Sequence, residues 1–307
     1  MRPLRVLRAG ERRRAADLVS AGRHRRRNGS NSSRKGTETT QPMQSVAVGI
    51  ARDATALLTS RERIELLRVM MLARATEQRA RTLVGRDRDA EPAARWRREP
   101  IGAGAASALR RGDRLVAPGR YVSAHLALEE SASTGRTSAA PDLLPEAAGV
   151  ALAVRSRDSH GVVLTLVDEG TMASPRWSES LAVAFERQLP LVVVVERDRP
   201  PVSTDAGRAT HTPLGEAVDA EDPEAVLAAV RAAAERARGG RGPALVACVT
   251  RDAERSPAVW RRGTENITRA ARPRDPIEIY ARRLVRAGIP RCYVESTIAA
   301  AEEEVWT

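Results

Sequence analysis

Aromatic residues make up 3% of this 307-residue chain, with Phe present once. A surface that binds nucleic acid by stacking bases needs more rings than that. Lysine is almost absent: Lys35 is the only one, so nearly every base is arginine. With heavy Ala use, this is the mark of coding in a GC-rich bacterial genome rather than of an arginine-specific task. Two isolated cysteines, Cys248 and Cys292, exclude a disulfide scaffold and point to a reducing cytoplasm. Of the histidines, His160 and His211 fall in turn or loop contexts with no partner at metal-ligand spacing. No apolar run is long enough to span a membrane. The arginines at the amino terminus are not followed by the apolar segment of a secretory signal.

The net charge of +12 is unevenly spread. Residues 1–40 hold twelve bases against three acids, Glu11, Asp17 and Glu38, which leaves +3 for the other 267 residues. The body is therefore not a basic nucleic-acid surface. Residues 1–45, rich in Arg, Ser, Asn and Gly and without periodicity, read as a disordered basic tail, and 59–307 as one α/β domain.

Within the domain, Thr59-Ser60 with Glu62 in the first turn predicts a capped helix through 63–72. The small-residue stretch 101–109 reads as helical, and Leu115-Val116-Ala117 as a short strand. A polar loop is expected over 129–142, then an Ala-rich helix over 144–155 entered at Pro145. The densest signal is 162–204. The run Val162-Val163-Leu164-Thr165-Leu166-Val167 ends in Asp168-Glu169-Gly170, an amphipathic helix follows, and Leu191-Val192-Val193-Val194-Val195 closes in Glu196-Arg197-Asp198-Arg199. Two β-branched runs joined by a helix predict a parallel βαβ unit. Asp222-Pro223 opens a helix over 225–238, residues 244–249 form a further strand, Asp275-Pro276 opens another helix, and 299–305 begins the last. Helix and strand alternate without repeats, which predicts an α/β fold with a largely parallel sheet and helices on both faces.

Ligands of open α/β sheets sit at the carboxyl ends of the strands. Glu169 and Asp198 stand at two such ends, where they could share a hard cation such as magnesium through oxygen ligands and so hold a diphosphate. The plainer reading is two solvated acids in strand-terminal turns.

The order of these elements, and the words inside them, resemble one family. Leu67-Arg68-Val69-Met70-Met71-Leu72-Ala73-Arg74-Ala75-Thr76-Glu77-Gln78-Arg79 matches its opening helix, and Ala108-Leu109-Arg110-Arg111-Gly112-Asp113 leads into Gly119-Arg120. Trp177-Ser178-Glu179-Ser180-Leu181-Ala182 with Gln188-Leu189-Pro190-Leu191-Val192 follows, then Val218-Asp219-Ala220-Glu221-Asp222, Arg241-Gly242-Pro243-Ala244-Leu245-Val246 and Arg274-Asp275-Pro276-Ile277. Over about residues 60–305 the chain resembles the alpha subunit of the thiamine diphosphate-dependent 2-oxo acid dehydrogenases, the decarboxylating components of the pyruvate and branched-chain complexes. That resemblance implies the thiamine diphosphate-binding fold. It also implies oxidative decarboxylation of a 2-oxo acid with acyl transfer to a lipoyl group. The partners implied are a beta subunit, in an α2β2 heterotetramer, and a lipoyl-bearing acyltransferase; neither nucleic acid nor membrane is among them.

By alignment to that family, the cofactors are thiamine diphosphate and Mg2+. Glu169, Asp198 and the Pro200 carbonyl take the metal-ligand positions, Arg120 the diphosphate-binding arginine, Glu169 and Gly170 the turn beside the cofactor, and His125, in a slipped alignment, a catalytic histidine. Several words depart from the family. Asp168-Glu169-Gly170 stands for Gly-Asp-Gly, Arg197-Asp198 for Asn-Asn, and Arg255-Ser256 for His-Ser, while 129–142 replaces a long Gly-rich segment. The alternative is a non-catalytic paralogue that keeps the fold and the subunit-assembly surface.

Overall fold

The computed structural model describes residues 58–84, 98–118, 121, 124, 135–137, 142–157, 160–198, 217–250 and 275–306. The expected tail at 1–45 lies outside them. Seven helices and six strands are formed by the described residues: α1 (Ser60–Val84), α2 (Glu99–Ala106), β1 (Arg114–Ala117), β2 (Gly135–Thr137), α3 (Leu143–Ser156), β3 (Val163–Asp168), α4 (Pro175–Glu186), β4 (Leu191–Asp198), β5 (Ala217–Asp219), α5 (Pro223–Arg238), β6 (Ala244–Thr250), α6 (Pro276–Arg286) and α7 (Arg291–Trp306).

Local sequence fixes the helix starts. The Thr59 hydroxyl accepts from the Glu62 amide at 3.2 Å while the Glu62 carboxylate accepts from the Thr59 amide at 2.9 Å, a reciprocal capping box. Asp222 accepts from the amides of Glu224 and Ala225, with Pro223 in the first turn of α5. Asp275 does the same for Ile277 at the head of α6.

The strands form one sheet in the order β2-β1-β3-β4-β6-β5, and every pair is parallel. Side-chain alternation sorts its two faces. Leu164, Leu166, Val192, Val194, Val246 and Cys248 pack with α1, α2, α5, α6 and α7. Val163, Val167, Val193 and Val195 pack with α3 and α4 around Trp177. Both faces are covered, which is why β3 and β4 are continuous apolar runs rather than alternating ones. On the first face α2 is made of small residues because it lies close against α5. A Cβ on Gly104 would meet the Pro223 carbonyl oxygen at 2.7 Å and Val226 Cβ at 2.8 Å.

Two local readings differ from the structure, and one strand, β5, had no reading. Residues 135–137, expected inside a polar loop, form edge strand β2, paired from Leu115↔Gly135 to Ala117↔Thr137. Gly-Arg-Thr carries no apolar signal, so the strand is made by its partner. β5 is likewise three residues long and pairs with β6. The last helix begins at Arg291 rather than near 299, with the Pro290 carbonyl accepting from the amides of Tyr293 and Val294. Among the described residues no helix is long and apolar enough to cross a membrane.

Candidate functional site

The βαβ unit β3-α4-β4 sets the carboxyl ends of two adjacent strands side by side, with Asp168 in register with Glu196. β3 turns directly into a 3-10 segment, Glu169–Ala173. The Thr171 hydroxyl donates to the Asp168 carbonyl at 2.7 Å and closes that turn. β4 continues past its apolar run, so Glu196 and Arg197 are strand residues and not part of a turn. Alternation then sends them to opposite faces of the sheet.

Two arginine clusters result. Glu169 Oε1 accepts from Arg197 Nε at 2.9 Å and lies 2.7 Å from its Nη2. The pair is only half-buried. On the other face Glu196 is buried, one oxygen 2.7 Å from Arg98 Nε and the other accepting from the Tyr121 hydroxyl at 2.5 Å. Arg98 Nη1 also lies 3.9 Å from Asp168 Oδ1. A buried carboxylate without a cation is costly, so Arg98 and Tyr121 are what lets Glu196 sit at the head of the apolar face. Cys248, in register with Glu196 on β6, is fully buried, and burial together with the nearby Glu196 and Asp219 charges pushes its thiol far up. It stays protonated and is neither nucleophile nor metal ligand.

Gly170 lies beside this cluster and is exposed, and among the described residues a Cβ added there would meet nothing within 4 Å. Packing therefore does not require glycine at 170.

Of the residues expected to form the site, Glu169 and Gly170 stand together at the end of β3, and the backbone of Asp198 ends β4 one residue beyond Arg197. The side chain of Asp198, and all of Arg120, His125 and Pro200, lie outside the described residues, as do His211 and Arg255-Ser256. Arg98, Glu196 and Tyr121 were not anticipated from sequence. The signal for Glu196 was there: strand periodicity places it on the face of Val192 and Val194, where an acid needs a cation. Arg98 and Tyr121 reach it from the head of α2 and from beyond β1, a proximity that no spacing reveals.

Away from the strand ends, Asp113 and Glu99 are among the buried carboxylates that hold elements together. Asp113, before β1, accepts from the Val162 amide at 2.8 Å, from the Arg110 amide at 2.8 Å and from Arg238 Nη2 at 3.1 Å. Glu99, at the start of α2, meets Arg74 Nε at 2.9 Å, and Arg74 also grips both oxygens of Asp275 at 2.7 and 2.8 Å. Burial raises the Glu99 carboxyl to about 7 although Arg74 works against it. Asp275 is pulled the other way, below its usual value: burial opposes this, but the Arg74 guanidinium and the amides of Ile277 and Glu278 together outweigh it.

Comparison with known proteins bears on this arrangement. The pyruvate dehydrogenase E1 component subunit alpha of Bacillus subtilis (strain 168) is 30% identical over 116 residues, 34% of this chain and 31% of that protein. The testis-specific mitochondrial form of the same subunit from Homo sapiens is 30% identical over 156 residues, 47% of this chain and 40% of its own. The chain thus spans less than half the length of either relative. Among solved structures, a putative thiamin diphosphate-dependent enzyme from Mycobacterium smegmatis aligns over 49% of this chain and 31% of its own, with a TM-score of 0.36 and 15% identity. The model of the family described as "Dehydrogenase E1 component" matches residues 105–304, a span that runs from within α2 to within α7 and contains the β3-α4-β4 unit with its strand-end cluster. The chain belongs to the dehydrogenase E1 component family.

Proposed function

We propose that this chain is the alpha subunit of a thiamine diphosphate-dependent 2-oxo acid dehydrogenase. It works with a beta subunit in an α2β2 assembly and passes an acyl group to a lipoyl-bearing acyltransferase. One observation carries the reading: the family match covers the unit that brings Glu169, Gly170 and Arg197 to the open carboxyl edge of the central strand pair. That edge is where open α/β sheets bind phosphate-bearing ligands. Bound there, thiamine diphosphate would supply the carbanion chemistry of decarboxylation. This chain would bind and orient its diphosphate through Arg197, Arg120 and the turn at Gly170, with His125 as the imidazole near the reacting atoms. The unpaired thiols Cys248 and Cys292 agree with work in the cytoplasm.

Magnesium held by Glu169, Asp198 and Pro200 is the arrangement the family resemblance implies. Of that set only the Glu169 side chain lies among the described residues. The Glu169 carboxylate is clasped by Arg197, and no group of three His, Cys, Asp or Glu among the described residues is spaced to hold a metal. No role in the reaction is therefore assigned to the metal.

A second reading, the non-catalytic paralogue, is favoured by that same clasp, since an arginine on Glu169 is also what a retired metal site would carry. Calorimetric titration of thiamine diphosphate into the chain co-expressed with its beta subunit separates the two. Saturable binding is expected for the enzyme subunit, and absence of heat at millimolar cofactor, with and without magnesium, would leave only the paralogue.

A further inference from the structure

The strand-end cluster has the acids of a metal site and, attached to it, cations of its own. Asp168, Glu169 and Glu196 crowd the carboxyl ends of β3 and β4, and each faces a guanidinium: Asp168 and Glu196 face Arg98, and Glu169 faces Arg197. Magnesium demands a near-ideal octahedron of oxygens at about 2.0–2.1 Å. Glu169 Oε1 already accepts from Arg197 Nε at 2.9 Å with Nη2 2.7 Å away, so a divalent ion on that carboxylate would meet a positive charge beside it. Glu196 is no reserve ligand, since its two oxygens go to Arg98 and Tyr121.

What a divalent ion does at such an edge is bring positive charge to a diphosphate. A guanidinium does this directly. It is always charged, more weakly hydrated than an ammonium, and its planar fork matches two phosphate oxygens at once. Arg197 is placed for that role. It extends from the end of β4, 36% of its side chain is exposed, and among the described residues nothing lies within 4 Å of a Cβ built on Gly170.

We propose that Arg197 replaces the divalent metal, so that the strand-end site excludes magnesium and takes a diphosphate by direct guanidinium contact. The second half of this statement rests on the cofactor reading given above; the first half does not. Glu169 is then the counter-ion of Arg197 rather than a metal ligand.

The test uses the full chain co-expressed with its beta subunit, and two probes. Mn2+ is titrated and followed by electron paramagnetic resonance, and thiamine diphosphate is titrated calorimetrically in EDTA and again in millimolar MgCl2. The wild type is expected to bind no Mn2+ below the millimolar range, and to bind thiamine diphosphate with affinities that agree within about twofold in the two buffers. Arg197→Met frees Glu169, so it should acquire an Mn2+ site and lose about tenfold in metal-free cofactor affinity, the scale of one charge-assisted contact. Arg197→Lys, which keeps the charge but not the fork, should fall between, and it serves if the methionine variant does not fold. Stoichiometric Mn2+ on the wild type overturns the proposal. So does a tenfold gain in cofactor affinity from magnesium, or an Arg197→Met chain that gains no metal. If thiamine diphosphate gives no heat in either buffer while Arg197→Met gains Mn2+, the metal replacement stands and the cofactor reading falls.

Discussion

Two sets of carboxylates in this fold use the same partners to different ends. Asp113 and Glu99 have side chains 2% and 8% exposed, and their arginines, Arg238 and Arg74, are 15% and 10% exposed. Glu169 and Arg197, at the carboxyl edge of the sheet, are 43% and 36% exposed. Breaking a buried pair strands a charge in a medium that cannot solvate it, whereas water replaces most of what a half-exposed pair provides. The first group therefore holds the helical layer and the amino ends of the strands in place. The second contributes little stability, and its placement has to be explained by what approaches the edge.

That contrast can be broken in four ways. The largest effect is expected from Arg74→Ala, which leaves Glu99 and Asp275 without their shared cation. A loss of about 3–5 kcal/mol in chemical denaturation is expected, and a loss under about 1 kcal/mol would erase the distinction between the groups. Glu99 gives a pH signature next. Its folded-state pKa is raised, from 4.5 to about 7, so proton binding favours the fold. Its contribution is complete below about 4.5 and is lost as pH rises through about 7, on the order of 3 kcal/mol. Glu99→Gln should flatten the pH dependence of the melting temperature across that window, and an unchanged slope would count against a buried, proton-favouring Glu99. Asp113→Ala comes third. It removes the acceptor of the Val162 and Arg110 amides, with an expected cost of about 2–3 kcal/mol by denaturant titration. Arg197→Ala is the smallest, under about 1 kcal/mol of stability. A loss as large as that of Arg74→Ala would mean that the edge pair is structural after all.

Legibility in the sequence followed the range of the interactions. The βαβ unit was readable because β3 and β4 carry their signal in consecutive β-branched residues, and the helix starts because Thr59 with Glu62, Asp222 and Asp275 act within three positions of themselves. β2 and β5 were not, since three residues such as Gly135-Arg136-Thr137 become a strand only through a neighbour. At the site, Glu169 and Gly170 could be found because a turn after a strand is local. The change from Asn to Arg at 197 was visible, but its meaning was not, because the residue it pairs with is 28 positions away. The cluster of Arg98, Tyr121 and Glu196 joins three separate stretches of chain, and only the folded sheet brings them to one edge.

The burial of Cys248 in the middle of the sheet has a practical side. The chain's other thiol, Cys292, is exposed on α7, so a thiol-specific label on the native protein goes to one position and gives a single reporter for a spectroscopic distance or an anisotropy measurement. Cys248 becomes a clock. It can react only when β4, β6 and the helices over them part, so the rate of its slow modification measures how often the sheet opens, and a ligand bound at the adjoining strand ends would slow that clock in proportion to its hold.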